Sequence, residues 1–81
     1  MKWRLTDTAQ ASYDAAQPAV KKAFDKRVLL LSQNLLHPSL RAKKFDESSN
    51  LWQARVNQSW RFYFTIEKDL YVIHKLIPHP K

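Results

Sequence analysis

The chain of 81 residues contains neither glycine nor cysteine. Lack of cysteine excludes a disulfide-stapled scaffold and a thiolate zinc site, and it fits a reducing compartment. Lack of glycine removes the one residue that takes a left-handed backbone without steric cost, so such turn positions are expected to fall to Asn50, Asn57 and Asp69. Long apolar runs are missing as well. The longest, Val28-Leu29-Leu30-Leu31, falls far short of a membrane span, and the N-terminal MKWRLTDTAQ has no apolar signal core. A cytoplasmic protein without a membrane role is expected. Acidic residues are the last scarcity: 7 Asp and Glu stand against 14 Lys and Arg, a net charge of +7.

The remaining composition, 44% hydrophobic and 26% charged, is that of a chain that folds without help from disulfides or metal. At this length one domain, residues 1–81, is all that a buried core can support. The positive excess is spread along the chain, six Lys/Arg to three acidic residues over 1–36 and eight to four over 37–81. A folded surface therefore carries it, and such a surface attracts nucleic acid, anionic membrane or an acidic protein.

Hydrophobic period divides the chain into two halves. Residues 2–5 read as a short strand, and Thr6 or Thr8 can cap a helix that runs through Tyr13 to near Gln17. Pro18 opens a second helix, whose apolar stripe is Val20, Phe24, Val28, Leu31 and Leu35, with Lys21, Lys22, Lys26 and Arg27 largely off it. His37-Pro38-Ser39 ends this helix, because the residue before a proline is pushed out of the helical region. From there the period drops to two. Residues 42–45, 51–57, 60–66 and 70–77 read as strands joined by turns at 46–50, 58–59 and 68–69. The expected fold is α+β, with two N-terminal helices packed on one face of a mainly antiparallel sheet of four to five strands.

Alternation sorts the strand residues by face. Trp60, Phe62, Phe64 and Ile66 point toward the helices with Trp52, Ala54 and Val56; Arg61, Tyr63 and Thr65 point away with Gln53 and Arg55. Lys44 can join that open face, and His79 arrives from the C-terminal Pro78-His79-Pro80-Lys81. Such a cationic surface can hold a phosphodiester, with arginines stabilising charge that develops on cleavage and one group moving protons. RNA carries its own nucleophile, the 2′-hydroxyl, so a ribonuclease site needs neither metal nor cofactor. The same residues also suit the solvated face of a half-buried sheet, and spacing alone leaves both readings open. Tyr63 could stack on a base; Trp3, Trp52 and Trp60 read as core. His37, His74 and His79 lack metal-site spacing, His37 reads as a helix-ending residue, and His74 could face either side of its strand as an accessory group. No serine has the context of a hydrolase nucleophile.

The string Leu51-Trp52-Gln53-Ala54-Arg55-Val56-Asn57-Gln58-Ser59-Trp60-Arg61-Phe62-Tyr63-Phe64 resembles the central hairpin of the RelE/ParE toxin superfamily, with an aromatic, an Arg-Val pair, a polar turn, then aromatic-Arg and an apolar strand. His37-Pro38-Ser39-Leu40 with Lys43-Lys44-Phe45, and the histidine after the last strand, are similar to the family as well, so the resemblance covers essentially the whole chain. It implies the toxin of a type II toxin-antitoxin pair, partnered by a cognate antitoxin and without a cofactor. The RelE, YoeB and HigB-like branch cleaves mRNA, usually on the ribosome, and ParE toxins inhibit DNA gyrase; a binding module that has lost toxicity is the third possibility. The resemblance makes Arg61 the contact to the scissile phosphate, His79 a general acid or base and Arg55 a second catalytic cation. Lys43, Lys44, Gln53, Tyr63 and Lys81 are the expected RNA-binding residues. The chain departs from the pattern in having Pro80 and Lys81 where YoeB-like toxins end in tyrosine, and in having only Asp46 and Glu47, in a loop, where they carry a catalytic glutamate.

Overall fold

The computed structural model describes residues 1–79. Strand β1 (Lys2–Leu5) is followed by helices α1 (Asp7–Ala15) and α2 (Pro18–Gln33), a short 3₁₀ turn (Pro38–Leu40), and strands β2 (Lys43–Asp46), β3 (Leu51–Arg55), β4 (Trp60–Glu67) and β5 (Leu70–Pro78). Thr6 starts α1 by accepting the Ala9 amide on its hydroxyl at 3.2 Å, and Asp7 complements the positive end of the helix dipole. Gln17 is extended, as the residue before a proline must be, and Pro18 then begins α2 at a position where no amide is needed. Val20, Phe24, Val28 and Leu31 are the buried face of α2. Past its end, His37 Nδ1 accepts the Ser39 amide at 3.1 Å, so this imidazole is occupied in building the turn.

The five strands form one sheet in the order β1-β5-β4-β3-β2. β1 lies parallel to β5, and every other neighbouring pair is antiparallel. The core fills the space between helices and sheet: Phe24 meets Phe62 edge-on at 5.3 Å, Phe62 meets Phe64 at 5.7 Å, and Leu31, Leu40, Ile73 and Leu76 close the gaps around them. The sheet face expected to pack on the helices does so over Ala54, Val56, Phe62 and Phe64, which are buried there, while Ile66, near the end of β4, is exposed.

Three local expectations are corrected. Positive φ among the described residues falls on Arg41 (46°), Asn50 (54°) and Lys68 (58°), so Asn57 and Asp69 keep ordinary backbones. Asn57 works through its side chain instead, with Oδ1 accepting the amides of Ser59 at 2.8 Å and Trp60 at 2.9 Å, and this ends β3 at Arg55, two residues short of the sequence expectation. Trp3 is 41% exposed, because β1 is an edge strand with helix cover on only part of its length.

Two tyrosines make the fold sensitive to alkali. Burial raises the Tyr71 hydroxyl above its ordinary value of 10.0, and the hydrogen bond that Tyr13 donates to Asp25 raises it likewise. Above that pH the unfolded chain gives up protons that the folded chain keeps, so stability is complete below pH about 10 and falls as pH rises. Melting temperatures measured between about pH 9 and 11 are expected to fall more steeply for the wild type than for Tyr71→Phe. Identical slopes would show that Tyr71 does not carry the effect.

Candidate functional site

In the β3–β4 ladder Arg55 lies directly across from Arg61, and Gln53 across from Tyr63. Residues paired in this way share a face, and here it is the face opposite the helices, since the intervening pair, Ala54 and Phe62, is buried in the core. β2 adds Lys43, which pairs with Gln53. Beyond β5, the His79 amide donates to the Ser59 carbonyl at 2.6 Å and ties the histidine to the β3–β4 turn. The result is a cleft of about 360 Å³ lined by Arg41, Lys43, Gln53, Arg55, Arg61 and His79. Guanidinium groups from adjacent strands and the histidine that follows the last strand thus border one space.

Lys44, expected on this face, is on the other. The register pairs it with Trp52, a helix-side residue. Its ammonium sits 5.4 Å from the Trp52 ring centroid, 3.2 Å from Asn50 Oδ1 and 3.8 Å from Glu47. In a strand a shift of one residue reverses the face, so Lys43 takes the place assigned to Lys44. Tyr63 and Gln53 do lie on the open face but are buried, with Gln53 Nε2 donating to the Tyr63 hydroxyl at 2.8 Å. The Tyr63 ring is met edge-on by Phe45 at 5.0 Å, and Phe45, 57% exposed, is the aromatic that this face presents to solvent. His74 turns to the open face too, with Nε2 2.8 Å from Thr65 Oγ1, but it does not line the cleft. Lys81, together with Pro80, lies outside the described residues.

Strand alternation did not reveal two further arginines, Arg41 in the cleft and Arg27 beside it. Arg41 lies ahead of β2 in a left-handed backbone that closes the 3₁₀ turn. Arg27 comes from α2 and reaches the sheet by donating its Nε to the Val56 carbonyl at 3.1 Å. Its signal was positional: it follows Phe24 by three residues and precedes Leu31 by four, at the margin of the buried stripe.

The electrostatics are one-sided. The one salt bridge among the described residues is Lys44–Glu47, so no carboxylate pairs with Arg27, Arg41, Arg55 or Arg61. Asp46 is turned into its own loop, where it accepts the Ser48 hydroxyl at 2.8 Å and amide at 3.0 Å, and these bonds with those of Ser49 hold its carboxyl below the usual range. Arg61 Nη1 is committed to the turn, donating to the carbonyls of Asn57 at 2.7 Å and Trp60 at 2.9 Å. Arg55 is the least settled group. Its Nε is shut off from solvent without a hydrogen-bond partner, and loss of hydration, then repulsion from Arg41, Arg61 and Arg27, lowers its pKa from the ordinary arginine value. An anion in the cleft would relieve each of these penalties. Among the described residues no three His, Asp or Glu side chains group as a metal site would require, and no helix is long and apolar enough to cross a membrane.

No family model matches the sequence, and no curated protein matches it either. Solved structures do. The YoeB/ParE toxin from Agrobacterium tumefaciens is 10% identical, with a TM-score of 0.83 over 99% of this chain and 100% of that one. The YoeB-YefM toxin-antitoxin complex from Staphylococcus aureus is 14% identical at a TM-score of 0.79, covering 99% and 98% of the two chains. The toxin-antitoxin complex RelBE2 from Mycobacterium tuberculosis is 21% identical at 0.79, covering 96% of each. The hairpin resemblance and the three-dimensional likeness agree on one architecture.

Proposed function

We propose that this chain, which has the fold of the RelE/ParE toxins, is the toxin of a type II toxin-antitoxin pair and inhibits translation by cleaving mRNA on the ribosome, without a metal. The observation that carries this reading is the cluster of guanidinium groups around an unpartnered Arg55 Nε, with no carboxylate among the described residues to neutralise them. Like charges set directly across a strand pair destabilise a sheet, so an anionic ligand is the physical complement of this arrangement. RNA fits because its 2′-hydroxyl can attack the neighbouring phosphorus: the 2′-oxygen–phosphorus bond forms, the bond to the 5′-oxygen breaks, and a cyclic phosphate remains. Arg55 and Arg61 stabilise the extra negative charge on the phosphoryl oxygens. His79 gives its proton to the departing 5′-oxygen, while the 2′-hydroxyl proton passes to water. Arg41 and Lys43 raise the local positive potential, and Phe45 offers a face on which a base can stack. A cognate antitoxin, as in the staphylococcal and mycobacterial complexes, is the expected protein partner.

The test is to express the chain without an antitoxin, map the 5′ ends of cellular mRNA, and repeat the reaction with purified protein on free and ribosome-bound RNA. Growth arrest with new ends inside reading frames, and cleavage that requires ribosomes, is the expected outcome. Equal cleavage of free RNA would remove the ribosome from the proposal. Intact mRNA together with blocked DNA supercoiling would replace it with gyrase inhibition, and harmless expression would reduce the chain to an antitoxin-binding module.

A further inference from the structure

The cleft does not end at Arg55. A second pocket of about 480 Å³ opens on its other side, where Arg27, Ser39 and Asn57 form part of the wall. Arg41 and Arg55 border both spaces, so the two adjoin, one reaching His79 and the other Arg27 of α2. The wall of the second pocket carries several hydrogen-bond donors. Arg27 spends only its Nε on Val56, and among the described residues its two terminal nitrogens have no acceptor. Asn57 uses its side-chain oxygen on the turn amides, and among the described residues its amino group has no acceptor. Among the described residues no carboxylate pairs with Arg27, Arg41 or Arg55.

Two adjoining anion sites that share two arginines suit one polyanion better than two separate ions. A single covalent strand brings its second phosphate at high effective concentration once the first is bound, and it divides its charge between the sites. We infer that the second pocket binds the phosphate next to the scissile one, with Arg27 as its dedicated ligand, so that the RNA footprint spans at least two consecutive phosphates. The inference rests on the nuclease reading and extends it: the catalytic cleft is one station on a backbone track, and the helical layer, through Arg27, supplies part of that track. The cost of holding four guanidinium groups together is then repaid only by a strand long enough to fill both spaces.

The experiment uses 2′-O-methyl RNA, which cannot be cleaved, as a dinucleotide with one phosphate and as trinucleotides with two, extended on either side. Wild-type protein is expected to bind one of the trinucleotides about tenfold more tightly than the dinucleotide, the gain of one charge-assisted contact. The plot of log affinity against log salt should steepen by about 0.7 for the added phosphate. Arg27→Gln is expected to lose both the gain and the extra slope, and to change dinucleotide binding far less than trinucleotide binding. Arg27→Lys, which keeps the charge, should restore the slope. Should Arg27→Gln keep the tenfold gain, or weaken dinucleotide and trinucleotide equally, the second subsite is overturned and the nuclease reading stands. Should folded wild-type protein bind none of these oligonucleotides, the subsite is overturned; should it also leave ribosome-bound mRNA intact, the nuclease reading fails with it.

Discussion

Replacing Arg55 with methionine is expected to raise the melting temperature of the protein while lowering RNA cleavage on the order of 100-fold, the usual loss when one preorganised donor to a developing anion is removed. The two effects share a cause. In the free protein Arg55 is half-buried, its Nε lacks a partner, and Arg61, Arg41 and Arg27 surround it with like charge. Methionine has a similar length and reach and carries none of those penalties, so the folded state gains. On the proposed nuclease reading, bound RNA sets a phosphate against the same guanidinium and uses its donors. Paired measurements decide the matter: thermal melts at neutral pH and single-turnover cleavage of ribosome-bound mRNA. Added inorganic phosphate should stabilise the wild type more than Arg55→Met, because an ion that occupies the cleft favours the folded state by mass action. A variant that is less stable and equally active would mean that Arg55 is an ordinary surface arginine.

Phe62→Ala is expected to remove most of the folding free energy. Phe62 has no exposed surface and touches both Phe24 and Phe64, and truncating such a ring costs about 3–5 kcal/mol. A domain of this length has only about 4–12 kcal/mol in total. Urea denaturation followed by circular dichroism should show the cooperative transition of the wild type lost or moved to very low denaturant. A loss below about 1 kcal/mol would contradict the central position given to this residue. Because Phe62 neighbours Ala54 across the ladder, between the Gln53–Tyr63 and Arg55–Arg61 pairs, its loss should also release the geometry of the open face.

The elements with strong periodicity were legible in the sequence. Val20, Phe24, Val28 and Leu31 marked α2, and Trp60 through Phe64 fixed which face of β4 meets the core, so Arg61 was placed correctly by its neighbours. Lys44 was not, because β2 has only four residues and a register shift between Lys44 and Asp46; alternation over so short a run has no second cycle to set its phase. Arg27 and Arg41 escaped for a different reason. Neither is on a strand, and each takes its place through a tertiary arrangement, Arg27 beside the cleft from a helix margin and Arg41 in it from a left-handed turn. The burial of Tyr63 under Phe45 was equally out of reach, since it depends on the neighbouring strand rather than on Tyr63 itself.

The parallel pairing of β1 with β5 joins Lys2 to Leu70 and Leu5 to Ile73. During synthesis the first strand emerges with nothing to pair against, and β5 also brings Tyr71, Ile73 and Leu76 to the core. A nascent chain halted before residue 70 can therefore close neither sheet nor cleft, and it lacks His79 altogether. On the proposed nuclease reading, catalysis therefore waits until translation of the chain's own message has nearly finished.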